Sequence, residues 1–223
     1  MSSRGDIIGK SDYSFDDTKY GLIYTKQCGW IDLGHAYPSN GRGDGALYLW
    51  KKILRESSES ASGGDDFIVS YHQKMSALKR NISVGIKKRY SIQKGLNLSQ
   101  KKSVFMSIVL DVSHDFEALQ GNWIFRNVTN SGFSAEDLIS NLISVYRSID
   151  PSTDYIELCE PIEKDPALKI WDTYGPVGER KNKTIKPYLF PLDLRGQPDQ
   201  KNLPSFLNTI NISKADGLFE VLK

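Results

Sequence analysis

The chain is poor in the residues that would make its chemistry obvious. It has two cysteines and three histidines in 223 residues. Two cysteines exclude a disulfide-stapled framework, and we read Cys28 and Cys159 as thiols of a reducing compartment. No further His/Cys cluster at ligand spacing accompanies His35 and Asp32, so no metal and no cofactor is expected. Charge of one sign is also lacking: Lys and Arg number 29 against 27 Asp and Glu, a net charge of +2. That balance demands neither a nucleic acid nor a membrane surface as partner, and the run Lys87-Lys88-Arg89 reads as a solvated face. Long apolar runs are missing, and a membrane span needs about 18–20 such residues. The N-terminal stretch MSSRGDIIGKSDYSFDD has no apolar core of a secretory signal. The expectation is a bacterial cytoplasmic product that, if it leaves the cell, does so without a cleavable signal.

What the chain does have is a core. Hydrophobic residues make up 39% and charged residues 25%, with four Trp, eleven Tyr and nine Phe as bulky anchors. Residues 1–19 read as a flexible arm and 20–223 as a single catalytic domain. Tyr20–Thr25 reads as a strand and Cys28–Ala36 as a helix. Tyr37–Gly45 is a loop, and Ala46–Glu56 an amphipathic helix with Leu47, Trp50 and Leu54 on one face. Ser57–Asp66 is a polar loop, and Phe67–Met75 and Ile82–Tyr90 are strands. A long helix starts at Ser99 as N-cap and runs through Phe116. Another opens at Ser134, with Asp137 completing a capping box, and ends before Pro151. From Pro161 on, irregular structure with short strands is expected, with a buried extended segment at Pro187–Pro191. The order of elements suggests an α+β fold.

Four residues are the candidates for catalysis. Cys28 follows an apolar strand, and at a helix N-terminus its thiol would be acidified into the reactive thiolate. The competing reading is an inert buried thiol. On a helix, Cys28, Asp32 and His35 would share a face, but a rise of roughly 10 Å over that span keeps thiol and imidazole apart. His35 either lines the site or anchors the loop at Pro38. His114, flanked by Asp111, Asp115 and Glu117, is the candidate base, with His72 as the alternative. Asp137 either starts a helix or orients the histidine, and Asn141 one turn on could do the same.

The blocks YGLIYTKQCGWIDLGHA, FEALQGNW and GFSAEDLISNLISVYRSI resemble the TecA/EvpP group of type VI secreted effectors. They are distantly similar to an uncharacterised family of bacterial envelope proteins with I-D-x-x-H and S-F-S-x-E-D-L-x-S-N-L blocks, which often has Gly at the position of Cys28. The matching blocks span roughly residues 20–150. The resemblance implies a papain-like Cys-His-Asp deamidase that converts an Asn of a host Rho-family small GTPase to Asp. It implies Cys28 as nucleophile and Asp137 as acidic member, and leaves the base open between His114, His72 and His35. A secretion machine or an immunity protein would be further partners. A cell-wall peptide amidase and a non-enzymatic interaction module are the alternatives.

Overall fold

In a computed structural model of the chain, the described residues are 2–39, 45–59, 64–77, 82–120 and 133–222. The fold is α+β: two sheets and several helices in a single domain. Its centre is a hairpin, β2 (Leu22–Thr25) and β3 (Gly29–Asp32), paired antiparallel. Both faces of this hairpin are buried. Ile23 and Ile31 turn to one hydrophobic cluster, while Leu22, Tyr24 and Trp30 turn to a second. A strand covered on both sides reads as a continuous apolar run, which is why LIYT shows no alternation.

The stretch Cys28–Ala36 is therefore a strand first and a helix second. After β3 it closes into one turn, α1 (Leu33–Ala36), capped by Asp32. Gly29 has φ +70°, and a Cβ there would run into the carbonyl oxygen of Tyr188 on β6 (Tyr188–Leu189). Around the hairpin the sheet order is β1-β2-β3-β6-β7, with β1 at Ile7–Ile8 and β7 at Asp199–Gln200. The supposed arm thus supplies an edge strand. Ile7 is buried in register with Leu22, and Arg4 makes a two-point contact with Asp172.

The second sheet is a long hairpin, β4 (Asp66–Ala77) and β5 (Ile82–Gln93), to which β8 (Phe219–Leu222) adds an antiparallel edge. α2 (Ala46–Arg55) buries Ala46, Leu49, Trp50 and Ile53. The expected face was off by about a quarter turn: Trp50 is inside, but Leu54 is 41% exposed. α3 (Leu98–Gln120) is capped at Asn97 rather than Ser99, since Asn97 Oδ1 accepts from Gln100 N–H and Gln100 Oε1 accepts from Asn97 N–H. Trp50 and Phe105 meet at 5.2 Å between α2 and α3.

α4 (Asp137–Ile149) is the buried axis of the molecule, with every residue from Asp137 to Ser148 inside. Its polar positions are a second stripe, mostly satisfied locally. Ser140, Ser144 and Ser148 donate to backbone carbonyls of α4 or its cap, and Asn141 accepts from Gln73. Beyond Pro151 lie α5 (Tyr155–Leu158) and α6 (Lys164–Tyr174). The second of these corrects the expectation of irregular chain. Pro166 falls in its first turn, where a missing N–H costs nothing. α6 packs Ala167, Ile170 and Trp171 on Trp30, and the two indoles stand edge to face at 6.0 Å.

Candidate functional site

The thiol singled out by sequence is not at a helix N-terminus. Cys28 sits in the β2–β3 turn, 1% exposed and part of the main core. Its backbone N–H donates to Thr25 Oγ1, and that turn is held down from outside: Lys26 and Gln27 N–H donate to the carbonyls of Glu160 and Cys159. The hydrogen-bond partner of its sulfur is the other thiol, Cys159, at 3.0 Å between sulfurs; both cysteines are free. Burial, then the Cys28 sulfur beside it, push the Cys159 thiol well above its ordinary value. The turn position replaces the helix N-terminus on which the sequence argument for Cys28 rested.

The histidines separate as well. His114 lies on α3 with its side chain 56% exposed, its ring edge-on to Phe133 at 5.1 Å. Of the carboxylates expected to hold it, Asp111 and Asp115 both pair with Lys88, and Asp115 Oδ1 also lies 3.9 Å from His114 Nδ1, an exposed contact beyond hydrogen-bond reach. His72 is on β4 opposite Lys87 and lines a shallow cleft with Tyr48, Glu59 and Ser70, a cavity of about 190 Å³. His35 goes inward, and it meets Asp137.

Four carboxyl groups surround His35. Asp32 ends β3 and caps α1, its Oδ1 accepting from Gly34 and His35 N–H. Its own N–H donates to Ser140 Oγ, which in turn donates to the Glu136 carbonyl, so β3 is pinned to the start of α4. Asp137 opens α4, accepts from Ser134 N–H, and lies 3.6 Å from His35 Nδ1. That separation is an ion-pair contact just beyond hydrogen-bond reach, and Nδ1, shut off from solvent, has no hydrogen-bond partner. The imidazole's outer edge is open, with 39% of the side chain exposed. Glu117 reaches in from α3, 1% exposed, and accepts from Phe133 N–H. Glu136 is 3% exposed, and its Oε2 has no partner among the described residues.

The charges in this cluster are tuned against one another. Burial opposes a charge on His35, but Asp137, Asp32 and Glu117 overcome it and hold the imidazole up to about 10. Burial, then Asp137, push Glu117 up to about 8, against the pull of His35 and the Phe133 N–H. Burial, then Asp137 and Asp32, raise Glu136 well above the carboxylate range. At neutral pH the cluster therefore holds an imidazolium and a Glu117 carboxyl poised to exchange its proton, beside a Glu136 that burial pushes the same way. Among the described residues, no group of three or more His, Cys, Asp or Glu side chains is arranged to hold a metal ion.

Of the sequence candidates, the structure brings His35 and Asp137 together and leaves Cys28 and His114 out of that contact. Sequence reasoning weighed Glu117 only as a partner of His114 and missed Glu136, whose signal was its place beside Asp137 in SAEDL.

Residues 6–150 match the model of a family described as protein of unknown function, DUF4056. Neither a curated protein nor a solved structure matches the chain. Among the described residues no helix is long and apolar enough to cross a membrane.

Proposed function

The chain belongs to the DUF4056 family, and we propose that it is an acid–base hydrolase working from His35, Asp137, Glu117 and Glu136. One observation carries the reading. Among the described residues, two buried polar atoms, His35 Nδ1 and Glu136 Oε2, stand without hydrogen-bond partners in the electrostatic reach of the same carboxyl, Asp137. Folding leaves such atoms unpaired at a cost of about 1–3 kcal/mol each, a cost most often retained for function.

The roles follow from the charge states. Water attacks the amide carbon as Glu117, poised near neutrality, takes its proton and then passes it to the departing amine or ammonia as the C–N bond breaks. The His35 imidazolium steadies negative charge developing on a substrate oxygen, and Asp137 orients that ring. Glu136 is the second buried carboxyl of the cluster, pushed up by burial and by Asp137. The substrate we propose is an amide, the bond class that the resemblance to the TecA-type deamidases implies. The Asn side chain of a host small GTPase is the form of it to test first.

The thiol version of this chemistry keeps His35 and Asp137 and adds Cys28, in the turn just before the strand that ends at Asp32. It requires the Cys28–Cys159 contact and the turn over it to open first. One experiment separates the readings. Wild type, His35→Gln, Glu117→Gln and Cys28→Ala are incubated with purified small GTPase and with cell-wall stem peptide, and released ammonia and new amines are measured. Glu117→Gln is expected to lose roughly 10²–10⁴-fold in rate while Cys28→Ala stays active. A dead Cys28→Ala beside an active Glu117→Gln would transfer the chemistry to the thiol. Absence of product from wild type on either amide would leave a binding module.

A further inference from the structure

α4 carries a second buried charge at its far end. Arg147 lies roughly 15 Å along the helix axis from Asp137 and is 5% exposed. Its guanidinium is stacked between two half-buried rings, 5.6 Å from the centroid of Phe15 and 5.8 Å from that of Tyr37. Among the described residues no carboxylate pairs with it, and its Nη1 is shut off from solvent with no hydrogen-bond partner. Asp154, which Tyr13 brings into this region, is already committed: it accepts from Tyr13 Oη and from the N–H groups of Ile156 and Glu157. A guanidinium cannot shed its proton to escape burial, so an uncompensated one is a standing penalty that only a counter-charge relieves. A further cation stands at the rim, Lys19 Nζ, 5.6 Å over the Tyr37 ring.

We infer that Arg147, walled by Phe15 and Tyr37, is the floor of a binding site for an organic carboxylate. One guanidinium neutralises one carboxylate, and its fork of donors matches the two oxygens. The aromatic walls fit the apolar body that such a ligand carries, which a bare inorganic anion lacks. The inference stands apart from the acid–base reading, since binding is read without turnover.

The test uses the full chain, calorimetric melting, and benzoate as the probe, with chloride and inorganic phosphate at matched ionic strength. At about tenfold over its Kd, benzoate is expected to raise the wild-type Tm by roughly 3–5 °C. Chloride and phosphate are expected to do less. Arg147→Met, which keeps the stem's volume, should lose the benzoate shift and melt, ligand-free, no lower than wild type, because an unpaired buried charge has gone. Arg147→Lys keeps the charge without the fork and should bind at least about tenfold more weakly. The inference is overturned by an absent wild-type shift, by an equal shift in Arg147→Met, or by phosphate matching benzoate. It is also overturned if ligand-free Arg147→Met melts well below wild type, which would mean the charge is already neutralised within the fold.

Discussion

Replacing Glu117 with glutamine tests the electrostatics of the cluster directly. The amide keeps the shape and the acceptor for Phe133 N–H, and removes the titration. Folding raises this carboxyl from 4.5 to about 8, so between those values the native state keeps a proton that the unfolded chain has released. Wild-type stability must therefore fall as pH rises through that window. His35 and Glu136 push in the same direction, His35 from 6.5 up to about 10, but both remain in the variant. The difference curve between the two proteins reports Glu117 together with the part of the His35 shift that Glu117 causes. At full strength it grows by about 1.4 kcal/mol per pH unit. From pH 5 to pH 8 the ceiling is about 4 kcal/mol. We expect about 2 kcal/mol, below that ceiling because Glu117 and His35 feel each other's charge and titrate together. Urea midpoints of both proteins at half-unit pH steps measure it. Glu117→Gln should match wild type near pH 5 and be the more stable protein at pH 8. A difference constant within about 0.5 kcal/mol across the range would refute the buried, proton-holding carboxyl.

Other changes probe the scaffold under the cluster. Asp32→Ala removes both side-chain acceptors at the start of α1 and should cost about 1–2 kcal/mol in thermal unfolding, with a lowered His35 pKa by NMR titration. Gly29→Ala forces a Cβ onto the Tyr188 carbonyl at positive φ, so its denaturant midpoint should fall by more than the roughly 1 kcal/mol of an ordinary Gly strain site. Native Cys28 and Cys159 should resist a thiol-directed electrophile at neutral pH and label only on unfolding, followed by mass spectrometry. Labelling of native protein within the dead time would mean that the turn over the thiols opens freely.

Much of the architecture was written in local pattern. The β4–β5 hairpin, α2, α3 and α4 all have one-sided periodicity or turn chemistry at their ends, and Pro151 ends α4 as its missing N–H requires. The errors fall where tertiary context decides. Cys28–Ala36 carries residues at helical spacing, but pairing with β2 and burial on both faces make its first half a strand. α6 was hidden by a proline that its first turn tolerates. The site was half legible. His35 and Asp137 were named from separate motifs, and only the path of α1 over α4 brings them within 3.6 Å. Glu117 and Glu136 look like any surface carboxylates in sequence, because burial, which gives them their chemistry, belongs to the packed chain.

The family match ends at residue 150, yet the weave of the molecule does not. β6 lies against β3, β8 against β5, and Thr25 bridges to Pro161. Cutting the chain after Ile149 would strip two strands of their neighbours and bare open ladders on both sheets. A shortened protein of that kind is a seed for intermolecular strand pairing, so the last third of the polypeptide acts as a guard against self-association as much as a support for the cluster.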